Sequence, residues 1–324
     1  MSACDHEPVS GHLAIGSFPD GHDRAHPLTM THPAHAIDLA HLHAAWLEPT
    51  LRAGTAIMRH FKNPDCRIER KADGSPVTSA DLEAEDVILG ALSRALPGLP
   101  VVSEEAAAAA QSVRPCTSAF LLVDPLDGTR EFAVHSREFT VNLSLIVDGR
   151  PVAGIIFAPA LSELYATAAG GLRPDQTAVW AHVDPPSLGA SCPSSADIPW
   201  RPLGVKGTTS SSGRRLLSSP REHDRVLSWL ARTGLAPTGH AEIGSSLKFC
   251  RLARGDADLY PRFGPTSEWD TAAGQAILQA TGGSVLSGPG AELSYGKFHT
   301  GLANPAFLAL GPGVPSDRLW PLVT

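Results

Sequence analysis

Cysteine is scarce in this chain and never paired. Cys4, Cys66, Cys116, Cys192 and Cys250 form an odd set without a CxxC spacing. That argues against a disulfide framework or a zinc ribbon and reads as reduced thiols in a cytoplasmic protein. Long apolar runs are missing as well: none approaches the roughly 20 residues that a membrane-spanning helix needs. No signal peptide is recognisable, although peripheral membrane association is left open. Positive charge is in deficit, with 26 Lys+Arg against 33 Asp+Glu and a net charge of −7. Without a dense basic surface, a nucleic-acid polymer is not the expected partner. No internal repeat is evident. What is present suits a globular protein with a sizeable core, since 43% of the 324 residues are hydrophobic and 18% charged. The length fits about two domains or one large layered one.

Residues 1–35 are rich in His, Pro, Gly and Asp and lack periodicity. The spacing of His6, His12, His22, His26, His32 and His35 fits no defined metal site, so the segment reads as a mobile leader or an overextended start before Met30. An N-terminal α+β half is expected over 36–195 and a C-terminal α/β half over 196–324. In the first half, an amphipathic helix begins near Ala36 and is expected to break or kink at Pro49, with helix again over 51–61. A turn at Ala72-Asp73-Gly74-Ser75-Pro76 precedes a helix over 79–95 and a short strand at Val101-Val102. Ala119–Val123 is a continuous apolar run typical of a fully buried strand, and 139–157 reads as a hairpin. The Pro/Ser/Gly-dense stretch 170–204 is the candidate boundary. Beyond it the expected order is a strand near 203–205, helices over 222–233 and 245–254, and a strand over 257–262. A helix over 271–281 and terminal strands near 284–286 and 307–310 complete it.

Acidic residues gather at element ends. In Val123-Asp124-Pro125-Leu126-Asp127-Gly128-Thr129 a buried strand delivers Asp124 to its carboxyl end, where α/β proteins bind ligands. Asp124, Asp127 and the Leu126 carbonyl form an oxygen-only set suited to magnesium. The backbone N–H groups of Gly128 and Thr129 would then face a phosphate oxygen. Taken alone, the motif is equally an Asp-Gly turn with solvated side chains. Glu104 and Glu105 follow another strand and repel each other unless a cation is near. Asp81 stands three residues after Thr78, a spacing that also makes a capping box. Asp270 opens a helix and is alternatively its N-cap. Four acidic groups at element ends in a chain of modest charge favour a shared metal site.

Three ordered signatures, Ser103-Glu104-Glu105, Asp124-Pro125-Leu126-Asp127-Gly128-Thr129 and Trp269-Asp270-Thr271-Ala272-Ala273-Gly274, resemble those of the lithium-sensitive, magnesium-dependent inositol monophosphatase superfamily. The resemblance spans about residues 36–310. Gly244–Cys250, Ala257–Thr266 and Arg130-Glu131-Phe132 are similar to its CysQ-type branch, the 3′(2′),5′-bisphosphate nucleotidases. The resemblance implies a layered α/β/α/β/α sandwich and two or three Mg²⁺ per site. Glu104, Asp124 and the Leu126 carbonyl would hold the first ion, and Asp124, Asp127 and Asp270 the second. It implies a metal-activated water attacking phosphorus in line, with Thr129 and Asp81 orienting it and accepting its proton, Glu104 close by and Glu105 in support. The second ion and the amides of Gly128 and Thr129 would stabilise the charge that develops.

Ser245, Lys248 and Arg262 match nucleotide-contacting positions of that branch, and Asp270 also faces substrate. Lys248 is otherwise a solvated helix charge and Arg262 a surface strand residue. One departure stands out: relatives carry a Ser-His pair after the strand expected near Val205, whereas here Lys206-Gly207-Thr208-Thr209-Ser210-Ser211 follows, with no histidine before His223. The expected activity is hydrolysis of the 3′-phosphate of adenosine 3′,5′-bisphosphate to AMP. An inositol- or sugar-phosphate phosphatase with the same metal site is the alternative. The expected partner is a phosphorylated small molecule, and a homodimer is left open.

Overall fold

The computed structural model describes residues 38–63, 67–71, 74, 76–109, 118–168, 178–203, 214–316 and 319. The leader expected over 1–35 and the segment 206–211 lie outside them. The first half contains α1 (Leu39–Phe61), β1 (Ile68–Arg70), β2 (Pro76–Thr78), α2 (Ser79–Ala95), β3 (Val101–Ser103) and α3 (Glu104–Ala108). It continues with β4 (Ala119–Asp127), α4 (Thr129–Ala133), β5 (Thr140–Val147), β6 (Arg150–Ala158), β7 (Glu163–Thr167), β8 (Ala178–His182) and β9 (Arg201–Pro202). The second half contains β10 (Arg215–Ser218), α5 (His223–Thr233), β11 (Gly239–Glu242), α6 (Leu247–Ala253), β12 (Leu259–Arg262) and β13 (Thr266–Ser267). It ends with α7 (Ala272–Ala280), β14 (Ser284–Gly288), β15 (Ala291–Glu292), β16 (Ala303–Asn304) and β17 (Phe307–Leu310).

Of the break or kink expected at Pro49, the break does not occur. The helix is capped by Asp38, whose side chain accepts from the Ala40 amide at 2.9 Å, and it runs unbroken to Phe61 with Pro49 inside. One backbone hydrogen bond, to the Ala45 carbonyl, is forgone. The burial of Leu42, Trp46 and Ile57 along one stripe, with Leu51 buried on the opposite face, outweighs that loss. In α2 the anticipated capping box is present, with Thr78 as N-cap and Asp81 at the third helical position.

Seven strands form a sheet in the order β3-β4-β5-β6-β7-β8-β9, and six form a second in the order β11-β10-β12-β17-β14-β15. In the first, only the β3–β4 pair is parallel; in the second, β10 runs parallel to both β11 and β12. Alternation along β6 shows how the layers stack. A Cβ at Gly154 would lie 2.7 Å from the Ala273 carbonyl of α7, whereas Phe157 crowds Gly54 of α1 from the opposite face. Thus α1 and α2 cover one face of the first sheet and α6 and α7 fill the space between the sheets. The central core joins Leu122, Ile156 and Tyr165 to Phe249, Ile277, Phe307 and Ala309. On the far face of the second sheet, Val226 and Trp229 of α5 pack on Leu216, Leu259, Leu308 and Leu310. The result is an α/β/α/β/α sandwich.

Of the strand expected near Leu203–Val205, only Leu203 is among the described residues, and it lies just past β9, outside any strand. Arg201–Pro202 pairs with β8 as the edge of the first sheet, and Arg215–Ser218 enters the second sheet as β10. Leu216 and Leu217 face opposite cores, so even a four-residue strand is buried on both sides. Within the stretch read as a candidate boundary, β8 (178–182) and β9 (201–202) belong to the first sheet. Among the described residues, no helix is long and apolar enough to cross a membrane.

Candidate active site

Strand register brings the acidic residues together. Ser103 lies opposite Val123 in the parallel β3–β4 pair, so Glu104 and Asp124 emerge side by side at the carboxyl ends. The β4–β5 ladder loses register between Asp124 and Asp127, where Pro125 interrupts it. Gly128 then turns the chain with φ +92°, a left-handed conformation that glycine adopts without strain, and α4 begins at Thr129. From the helical layer between the sheets, the segment before α7 brings in Asp270. Carboxylate oxygens of Glu104, Asp124 and Asp270 all lie within 4.8 Å of one another.

Such a cluster is electrostatically costly without a cation. Burial first, and then Glu104, Asp127, Asp270 and Asp81, push the Asp124 carboxyl well above its usual range. Burial and then Asp127 do the same to Asp270. Asp124 Oδ1 accepts from the Leu126 amide at 3.0 Å, while Oδ2 is buried with no hydrogen-bond partner among the described residues. An unpartnered buried carboxylate oxygen inside an all-oxygen cluster fits a hard divalent cation. Asp127 faces the same region but is held by a hydroxyl hub: Ser246 offers its amide and Oγ, each 2.6 Å from Asp127 Oδ2. Ser246 Oγ also lies 2.7 Å from the Asp270 carbonyl and accepts from Asn142 Nδ2 at 2.9 Å. One serine therefore ties β4, β5 and the start of α7 together. The Leu126 carbonyl, expected at the metal, lies 3.1 Å from Thr129 Oγ.

Asp81 serves two ends at once. Its Oδ2 accepts from the Thr78 amide at 2.8 Å and Thr78 Oγ at 2.6 Å, completing the helix cap, while Oδ1 lies 3.1 Å from Thr129 Oγ. Burial raises its pKa to about 6 against the opposing pull of Thr78 and Thr129. The cap is real, and it orients the carboxylate toward Thr129. Asp270, by contrast, is not the N-cap of α7; Thr271 holds that place, and Asp270 Oδ2 accepts from the Ser267 amide at 2.8 Å. Glu105 and Glu104 both bind Lys71, at 2.7 and 2.6 Å, and burial moves Glu105 up to about 7.

Beside the carboxylates lies a cavity of about 60 Å³ lined by Asp127, Ser245, Lys248, Arg262, Ser219, Arg221 and Asp270, among others. Lys248 is not a solvated helix charge: it is 3% exposed, and Nζ donates to the carbonyls of Ile243 at 2.9 Å and Ser245 at 2.7 Å. Burial lowers its pKa to about 8. Two of its three protons are used, which leaves one for the cavity. Ser245 sits just before α6 with φ +47°, a left-handed strain of the kind found at functional sites. Arg262 is not a free surface residue either, since its guanidinium reaches Ser219 Oγ at 2.5 Å and Glu222 at 3.6 Å.

Ser219-Pro220-Arg221-Glu222-His223 follows β10. Ser219 and Arg221 line the cavity, whereas His223 lies 3.2 Å from Glu242.

A model of the Inositol monophosphatase family matches residues 38–310. The chain belongs to that family. It is 40% identical over 256 residues to the 3′(2′),5′-bisphosphate nucleotidase CysQ of Salmonella typhimurium, covering 79% of this chain and 94% of that one. The CysQ of Escherichia coli strain K12 is 37% identical over the same length, with the same shares of each chain. The crystal structure of CysQ from Bacteroides thetaiotaomicron, described as a bacterial member of the family, aligns with a TM-score of 0.66 at 30% identity. It covers 85% of this chain and 98% of that one. The fold is thus of the inositol monophosphatase type, and the chain is a member of a family of metal-dependent phosphatases.

Several residues of the site escaped the sequence reading. Lys71 lies just before the turn at Ala72–Pro76 and was given no role. Asn142 is a polar residue in an apolar strand, a signal that was available. Ser246 stood unremarked inside the quoted Gly244–Cys250 run, and Ser219 and Arg221 follow β10, a strand the sequence did not suggest.

Proposed function

We propose that this protein is a Mg²⁺-dependent 3′(2′),5′-bisphosphate nucleotidase that hydrolyses adenosine 3′,5′-bisphosphate to AMP and phosphate in the cytoplasm. The observation that carries the reading is the juxtaposition of Glu104, Asp124 and Asp270 with a cavity that holds Lys248, Arg262 and Arg221. A bisphosphate needs both: a divalent-cation site for the reacting phosphate and fixed cations for the other. The relatives named CysQ support the same substrate class.

Glu104, Asp124, Asp127, Asp270 and the Leu126 carbonyl are the residues that would hold magnesium, two or three ions per site. Bound there, the ions supply Lewis acidity and neutralise charge on the phosphate ester. The chain's own groups do the rest. Thr129 Oγ, directed at Asp81, presents its lone pairs to an attacking water, and Asp81 accepts the proton. The amides of Gly128 and Thr129 face the phosphoryl oxygens, and Ser246 keeps Asp127 from turning away. Ser245, the remaining proton of Lys248, Arg262 and Arg221 orient the non-reacting phosphate.

The test is a comparison of kcat/KM for adenosine 3′,5′-bisphosphate and inositol 1-phosphate, with Lys248→Met and Arg262→Met beside the wild type. Each substitution should raise KM for the bisphosphate about tenfold or more and change inositol 1-phosphate turnover little. Equal losses on both substrates, or wild-type preference for inositol 1-phosphate, would contradict the bisphosphate assignment.

A further inference from the structure

The hairpin of β1 and β2 places one cation against the acidic centre. Lys71 Nζ lies 2.6 Å from Glu104 Oε1 and 2.7 Å from Glu105 Oε1, and its side chain is only 10% exposed. No step of the chemistry above employs it. Glu104 faces two ways: toward Asp124 and Asp270, and toward Lys71. Glu105, its neighbour on α3, is 8% exposed and turned to the same ammonium. Two adjacent, largely enclosed carboxylates thus share a single positive charge that the protein itself supplies.

We infer that Lys71 is a resident counter-cation of the Glu104–Glu105 pair that competes with divalent metal for Glu104. With no metal bound it relieves the repulsion of the pair. It also withdraws Glu105 from metal ligation, so that fewer ions bind than the number of carboxylates would allow. When a divalent ion occupies Glu104, the ammonium beside it opposes that ion's charge, and metal affinity is set below the level the carboxylates alone would reach. The role is one of positioning and charge regulation. It rests on the reading of Glu104 as a metal ligand.

Two measurements on the full chain test it without using turnover. The first is calorimetric titration with Mg²⁺ of wild type, Lys71→Met, Lys71→Gln and Lys71→Arg. A unit charge this close to a divalent site is worth on the order of tenfold in Kd at a water-like effective dielectric. Lys71→Met and Lys71→Gln should therefore bind Mg²⁺ about tenfold more tightly, and Lys71→Arg should remain near wild type. The second is the melting temperature with chelator and with Mg²⁺. The neutral variants should melt below wild type in chelator and recover in Mg²⁺, because the metal replaces the lost counter-charge. If Lys71→Met fails to fold without metal, Lys71→Met/Glu105→Gln removes the unbalanced charge, and the same tightening should appear there. Unchanged or weaker Mg²⁺ affinity in the neutral variants, or a melting deficit equal with and without Mg²⁺, overturns the inference alone. A wild type that binds no Mg²⁺ overturns the metal-site reading and this inference with it.

Discussion

Asp124 sets stability against chemistry. It is buried, raised by four neighbouring carboxylates, and keeps one oxygen without a partner among the described residues. Replacing it with asparagine should have opposite effects on two properties. Mg²⁺-dependent phosphate release should fall about a hundred- to a thousandfold, as when a group that stabilises transition-state charge is removed. The metal-free protein should gain about 1–3 kcal/mol of stability, because an uncompensated buried charge is gone. Denaturant titration in chelator, paired with a phosphate-release assay, checks both. At Thr129 the hydroxyl rather than the shape is at issue. Thr129→Ser should keep most activity, while Thr129→Val should lose about a hundredfold, the scale of one acid–base contribution.

Asp81 gives a pH dependence whose sign is determined. Its pKa in the folded chain is raised to about 6 from the ordinary 3.8, so the folded state holds the proton more tightly than the unfolded state. Its contribution to the stability of the metal-free protein is present below about pH 4 and is lost as pH rises toward 6. The difference is on the order of 3 kcal/mol. In its proposed role as proton acceptor Asp81 must be a carboxylate, so activity runs the other way: kcat/KM should decline as pH falls through the Asp81 titration, which bound Mg²⁺ would draw below the metal-free value. Chemical denaturation and rate profiles of wild type and Asp81→Asn across this range test the assignment. The substitution should flatten the Asp81 part of the stability profile and abolish most activity at every pH.

At the scale of elements, close approach holds the site in register. Gly154 of β6 lies against the backbone of α7, the helix that follows Asp270, so an added methyl cannot be accommodated by a rotamer change. Gly154→Ala should cost about 1–3 kcal/mol and weaken Mg²⁺ affinity, because α7 must shift; a calorimetric titration and a thermal melt read the two effects. Much of this element layer was legible from sequence. The α2 boundaries, the buried β4 strand and the β5–β6 hairpin carry strong periodicity, capping or turn signals. Two features were less legible. Pro49 was read as breaking or kinking the helix, yet α1 continues through it because burial on both sides of it outweighs one lost hydrogen bond. The strand β10 at 215–218 was not anticipated: its four residues bear little local signal and acquire strand geometry from two flanking parallel partners. Ser219 and Arg221, which follow it, are marked as cavity residues by no local pattern.

At the scale of the whole molecule, the excess of negative charge and the anionic substrate are compatible. The acidic motifs that named the family are also where the carboxylates concentrate, and the net charge of −7 does not describe the cavity beside them, where Lys248, Arg262 and Arg221 meet. Which acidic residues converge was legible because three ordered motifs mark them. How they are held was not, because Ser246, Asn142 and Lys71 act across 104 and 33 residues of chain separation. The first sheet, the helical layer beneath it and the β1–β2 hairpin together bring these groups to one place. The most direct test of this account is phosphate release from adenosine 3′,5′-bisphosphate by the purified full chain, measured with Mg²⁺ and with chelator. The account predicts release that requires Mg²⁺ and disappears in Asp124→Asn. Release that persists in chelator, or an Asp124→Asn protein as active as wild type, would contradict it.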